Sequence, residues 1–240
     1  MAGVNKLHEI WGKRLHCGIY PEGSETIEQA TAAMDRSLLA AADIKPGMRV
    51  LEVGCGYGDL SLDIWRAGAT VHGVDIEDRM PHSDEGITFE KGDFHALDFA
   101  DASLDVVIAH ECLTRSRDVI SALREMRRVL RPGGRLVISH LFVENDKDRA
   151  KMLKETGMFC PSSSEWQAMC RSARFRIDAI WKNSEQPARF YADLAEKIKG
   201  GFDLEDKDER REANRLADYV RLRVPMAKAG QLGKITLICR

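Results

Sequence analysis

Three groups of residues in this 240-residue chain have side chains and spacings that could do chemistry. The first follows a hydrophobic run. Val106-Val107-Ile108-Ala109 passes without glycine or proline into His110-Glu111-Cys112, and Arg115 comes soon after. Histidine exchanges protons near neutral pH. Arginine keeps its charge there and suits an anionic ligand instead. The second group is Gly54, Gly56 and Gly58, spaced G-x-G-x-G in "VLEVGCGYGDL". Glycines let a ligand approach the backbone closely, and the N-terminus of a following helix adds N–H donors. The third group is acidic: Glu52 just before the loop, Asp75 after "TVHGV" and Asp93 in "ITFEKGD". An acid placed like Asp75 can accept from ribose hydroxyls. His140, at the end of "RLVISH", adds a second imidazole, and His16 near the N-terminus is a lesser candidate.

Strands and helices must bring these residues together. Residues 24–43 predict a helix capped by Ser24, with Ile27, Ala30, Met34, Leu38 and Ala41 on one face. Strands are expected at 49–54, 70–76, 87–93, 104–110 and 135–142. Helices are expected at 58–67 and at 117–130, the latter ending at "RPGG". Near-continuous β-branched runs separated by helices indicate a mostly parallel sheet covered on both faces. "PSSSEWQAMCRSARF" predicts a helix capped by Ser163 or Ser164, followed by the strand "FRIDAIW". Residues 183–232 are rich in charge and helix formers, and "KITLIC" closes the chain as a strand. The expected organisation is therefore a core with an N-terminal helical cover over 1–182, a helical lid over 183–232 and the last core strand over 233–240. Gly200-Gly201 is a candidate hinge for the lid.

Composition narrows the class. Hydrophobic residues make up 44% of the chain and the formal net charge is −2, which gives no basic footprint for a nucleic-acid partner. No apolar run reaches the roughly 20 residues a membrane helix needs. The N-terminus lacks the apolar core of a signal peptide. Six cysteines at 17, 55, 112, 160, 170 and 239 form no C-x-x-C, so neither a disulfide framework nor a metal centre is expected. A cytoplasmic setting is the simplest.

The glycine loop fits two ligand classes differently. A nicotinamide dinucleotide prefers G-x-G-x-x-G, and the third glycine would fall at residue 59. That residue is Asp59. An acid there repels a pyrophosphate, and Glu52 adds to the repulsion. A cationic ligand without phosphate reverses both arguments.

"LEVGCGYGDLSLDIWRAGATVHGVDIE", "KGDFHALDFADASLDVVIAHECL" and "REMRRVLRPGGRLVISH" together resemble, in order, the motifs of class I S-adenosylmethionine-dependent methyltransferases. The flanking "KRLHCGIYPEGSETIEQA" and "AKAGQLGKITLICR" are similar to the small-molecule members, of tocopherol, sarcosine and sugar O-methyltransferase type. The resemblance implies a Rossmann-like α/β fold: a seven-stranded, mostly parallel sheet with a helical lid before the last strand. It also implies S-adenosylmethionine as cofactor and methyl transfer to a hydroxyl, amine or carbon of a small molecule. The alternatives are a protein or nucleic-acid methyltransferase, or a non-catalytic cofactor-binding relative.

Residue roles follow from the resemblance. Gly54, Cys55 and Gly56 would line the methionine part of the cofactor, and Glu52 would orient the loop. Asp75 would bind the ribose, with Ile76 on the adenine. Asp93 and Phe94 would contact the adenine amine and ring, and Tyr20 would cover the cofactor. His110 would touch the cofactor through its backbone, and His110 or His140 would serve as a base. Arg115 stands where relatives often carry histidine, which points to substrate contact and an anionic acceptor.

Overall fold

A computed structural model describes residues 11, 14–77, 83–199 and 207–240. The proposed Gly200-Gly201 hinge lies outside the described residues. Helix α1 (Ile27–Ala42) buries the predicted stripe of Ile27, Ala30, Met34, Leu38 and Ala41. Its cap is Thr26 rather than Ser24. The Thr26 hydroxyl accepts from Gln29 N, and the Gln29 side chain accepts from Thr26 N, which satisfies two helix-end donors.

The sheet contains β1 (Arg49–Val53), β2 (Thr70–Asp75), β3 (Ile87–Lys91), β4 (Leu104–His110), β5 (Leu130–Val143), β6 (Ile177–Asn183) and β7 (Leu232–Cys239). Their order is β3-β2-β1-β4-β5-β7-β6, and only β7 runs antiparallel to its neighbours. This is the expected seven-stranded, mostly parallel arrangement. Helix α2 (Asp59–Arg66) follows β1, and α3 (Val119–Val129) joins β4 to β5. Side chains alternate across the central strands, as the two-residue period requires. Leu51, Val53, Val107 and Ala109 enter one buried layer, while Val50, Val106 and Ile108 enter the other.

Chain order reverses between the adjacent strands β1 and β4. In open α/β sheets that is where a ligand crevice forms, beyond the carboxyl ends of the strands. Glu52, Asp75 and His110 all sit at those ends.

Beyond β5 the sequence reading is less complete. Helix α4 (Asp146–Thr156) is capped by Asn145 and ends at Gly157, φ 67°. The hydrophobic pattern gave no sign of it, because Met152 is its only buried residue. Helix α5 (Ser163–Ser172) is capped by Ser162, one residue before the expected positions. Helices α6 (Glu185–Lys199) and α7 (Lys207–Lys228) lie between β6 and β7. With Trp11, Cys17 and Tyr20 they form a third buried layer against Leu141, Val143 and Leu232.

Trp166 of α5 ties this side to the sheet. It is fully buried, and its Nε1 donates to Leu141 O at 3.1 Å. Trp166→Ala should lower unfolding stability by about 3–5 kcal/mol. Urea unfolding checks this, and an unchanged midpoint would mean that α5 does not hold the sheet.

Candidate active site

The loop after β1 is held by the strand beside it. Gly54 N donates to Val74 O at 2.7 Å. Its φ is 68°, and a Cβ added there would lie 2.2 Å from Cys112 Cβ, so this position requires glycine. Gly56 also has positive φ, 55°, but an added Cβ would meet nothing within 4 Å. Its open face looks onto free space. Gly56 N donates to Asp75 Oδ2 at 2.9 Å, and Asp75 Oδ1 accepts from Glu77 N at 2.9 Å. The acid ending β2 therefore fixes the loop ending β1, and a carboxylate still has lone pairs to offer a ligand. Asp59 occupies the first turn of α2, where a bound phosphate would sit.

A cavity of about 410 Å³ opens beside this loop. Glu52, Gly54, Cys55, Gly56, Asp75, Ile76, Asp93, Phe94, His110 and Arg115 all line it. Ile76 is 63% exposed, an apolar side chain left open next to Asp75. Asp93 Oδ1 accepts from His95 N at 2.9 Å and lies 2.6 Å from His95 Nδ1. The backbone donor and then the imidazole hold the Asp93 carboxyl below its ordinary value. His95 Nε2 meets Ser116 Oγ at 2.9 Å, which links the β3 and β4 loops. Glu52 is buried and accepts from Ser61 Oγ at 2.5 Å. Burial outweighs that bond and pushes its carboxyl up to about 8.

The inner wall is a run of buried charges. Asp35 of α1 is fully buried. Its Oδ2 is 2.5 Å from Arg14 Nε, and its Oδ1 is 3.0 Å from His16 Nε2 and 3.8 Å from His110 Nδ1. Arg14 also reaches Asp63 of α2 at 2.6 Å. Burial opposes the Asp35 charge, but His16 and Arg14 prevail and hold its carboxyl below the ordinary value. On the other side, Lys234 of β7 donates to Cys17 O at 3.2 Å, to His110 Nε2 at 3.1 Å and to Glu111 Oε1. Glu111 Oε1 accepts from Cys17 N as well.

An ammonium has only protons to give. His110 Nε2 is therefore an acceptor, and the ring proton sits on Nδ1, facing Asp35. Burial first, then His16 and Lys234, drive the His110 pKa well below its ordinary value. His110 is a neutral imidazole whose Nε2 accepts from Lys234 and whose Nδ1 faces the Asp35 carboxylate at 3.8 Å. The donor atoms of His16, Asp35 and His110 lie within 4.8 Å of one another, close enough for a cation to bridge. Arg14 and Lys234 already bring two positive charges to these groups.

Two expected residues lie elsewhere. His140 is fully buried and stacks on Trp166, with ring centroids 4.7 Å apart. Its Nε2 accepts from Leu113 N at 3.2 Å, and burial, with Lys234, lowers its pKa to about 3. It does not line the cavity, so the structure sets it apart from the place where a base was expected. Tyr20 is buried under α6, with Arg189 over its ring at 4.1 Å and its backbone N–H on Gln186. It belongs to the lid packing rather than to the cavity wall. The sequence analysis missed Arg14, Asp35, His95 and Lys234. Asp35 left one trace: it sits beside Met34 and within a turn of Leu38 and Thr31, all buried, where an acid needs a partner.

A second cavity, of about 650 Å³, lies toward the lid and is lined by Arg115, Met158, Tyr219 and Leu222, among others. Arg115 lines both cavities.

Comparison with known proteins agrees with this geometry. Residues 51–138 match the family described as "Methyltransferase domain". The 27-O-demethylrifamycin SV methyltransferase of Amycolatopsis mediterranei is 29% identical over 217 residues, 83% of this chain and 80% of that protein. The O-methyltransferase rstn1 of Aspergillus nomiae is 34% identical over 189 residues, 71% of this chain and 84% of that protein. Among solved structures, a candidate sarcosine dimethylglycine methyltransferase of Galdieria sulphuraria superposes with a TM-score of 0.85. It covers 100% of this chain and 98% of its own, at 17% identity.

The raised Glu52 pKa has a consequence for stability. A carboxyl with a higher pKa folded than unfolded favours the native state while protonated. That contribution is present below the ordinary value of 4.5 and is lost as pH rises toward about 8. Glu52→Gln keeps an acceptor for Ser61 but has no charge to bury. Urea unfolding should find it more stable than wild type at pH 8.5, with the gap closing toward pH 5. A gap that does not change with pH would refute the buried, protonated carboxyl.

Proposed function

We propose that this chain, which belongs to the class I S-adenosylmethionine-dependent methyltransferases, moves a methyl group from S-adenosylmethionine to a small-molecule acceptor seated between the glycine loop and the lid. The observation that carries this is the pair of acids Asp75 and Asp93 on one cavity, with Asp59 where a dinucleotide needs glycine. Such a wall suits a ligand with a sulfonium and an ammonium and repels one with a pyrophosphate. Gly56 leaves its face open, Asp75 has acceptor capacity for ribose hydroxyls, and Ile76 and Phe94 offer apolar surface for a purine. The names of the Amycolatopsis and Aspergillus relatives favour an oxygen acceptor.

When bound, S-adenosylmethionine supplies an electrophilic methyl on a good leaving group. The chain's own contribution is then mainly positioning, which can be worth roughly 7–11 kcal/mol. Glu52 and Asp75 hold the loop in place. His110 serves as a fixed neutral wall, because Lys234 occupies its Nε2 and Asp35 faces its Nδ1. Arg115, on the boundary of both cavities, is placed to meet the acceptor. The helices α6 and α7 act as the lid that excludes water.

Calorimetry should find S-adenosylhomocysteine binding to the pure protein and no heat with NAD. Asp75→Asn should weaken that binding by about tenfold or more, the scale of one charge-assisted hydrogen bond. No binding of S-adenosylhomocysteine would overturn the proposal. The methyl-transfer rate, read by mass spectrometry with methyl-labelled cofactor, should show no fall between pH 7 and 6 that His110→Gln or His140→Gln abolishes. Such a fall would restore one of them as the base.

A further inference from the structure

Arg223 of α7 is fully buried. One Nη1 proton goes to Tyr219 O at 3.1 Å, and one Nη2 proton goes to Met158 Sδ at 3.5 Å. The guanidinium carbon stands 3.2 Å from the centre of the Tyr219 ring and 6.0 Å from that of Tyr191. Nε is buried without a partner. Among the described residues no carboxylate lies within ion-pair distance of Arg223. Guanidinium stays protonated at any physiological pH, so this is a charge held out of water with two aromatic faces, one backbone carbonyl and one thioether as its partners among the described residues. Aromatic rings attract a cation but do not neutralise it, and a buried charge ordinarily has a counter-ion.

The groups that touch Arg223 are themselves cavity walls. Tyr219, Met158 and the neighbouring Leu222 line the lid-side cavity, which meets the cofactor-side cavity at Arg115. At the rim, Arg221 pairs with Asp218 at 3.0 Å, and Arg115 and Glu155 also line the cavity. A thioether sulfur is a weak acceptor on a flexible side chain. A carboxylate displacing it would take the Nε–Nη2 edge in the two-bond geometry that arginine favours.

We propose that the methyl acceptor is a monoanionic carboxylic acid whose carboxylate is bound by Arg223, with its body against Tyr219 and its nucleophile toward the cofactor-side cavity. This rests on the methyltransferase reading above. A doubly charged phosphate fits less well, since one buried cation would leave a negative charge unbalanced.

Thermal melts of the full chain test this, with S-adenosylhomocysteine present and either sodium benzoate or neutral benzamide added at millimolar concentration. Benzoate should raise the midpoint by about 2–4 °C, the scale of a ligand at several times its Kd in a chain of this size. Benzamide should not. The benzoate shift should vanish in Arg223→Met. It should largely vanish in Arg223→Lys, which keeps the charge and the fold but loses the planar fork. Both variants should keep the shift caused by S-adenosylhomocysteine. If benzoate gives no shift in the wild type, or an equal shift in the variants, the acid-acceptor proposal is overturned while cofactor binding stands. If S-adenosylhomocysteine itself gives no shift, the methyltransferase reading falls and this inference falls with it.

Discussion

A fully buried carboxylate, that of Asp35, sets the terms for the active-site wall. A charge in that position is tolerated only when it is paired and hydrogen-bonded. Arg14 and His16 meet this need directly, and His110 stands next in line. Each partner then needs its own: Arg14 reaches Asp63, and His110 accepts from Lys234, which also holds Glu111. The run of alternating charges therefore joins the N-terminal segment, α1, α2, the end of β4 and β7. These pieces are distant in sequence, and they meet at the switch point of the sheet.

This arrangement separates two tasks. The outer acids Asp75 and Asp93 line the cavity and are fixed by backbone N–H donors, Asp75 by Glu77 and by Gly56 of the neighbouring glycine loop, Asp93 by His95. The inner groups face one another, and His110 accepts from Lys234. A methyl group on a sulfonium needs a well-placed nucleophile more than it needs a proton acceptor, so a wall that is rigid and electrically closed is consistent with that chemistry.

The sheet and the glycine loop were legible in the sequence for the same reason: both are local patterns. Continuous β-branched runs, Gly54 and Gly56 at a strand end and Asp75 one strand later all lie within short windows. The charge network was not legible, because Asp35 and Lys234 are separated by most of the chain and each sits in an otherwise ordinary element. Position at a strand end does not decide which way a ring turns; Trp166 and Leu113 N hold His140 inward. In the same way, Arg189 of α6 lies over the Tyr20 ring, a contact no local pattern shows. Helix α4 escaped because it buries almost nothing and so leaves no hydrophobic period.

The central claim is that the Asp35 charge clamps the N-terminal segment onto the cavity. Hydrogen exchange of the backbone amides at residues 14–20, compared between wild type and Asp35→Asn, tests it most directly. The clamp predicts faster exchange in that segment while β1 and β4 keep their protection. Unchanged exchange at residues 14–20, or a loss of protection spread evenly over the sheet, would contradict it.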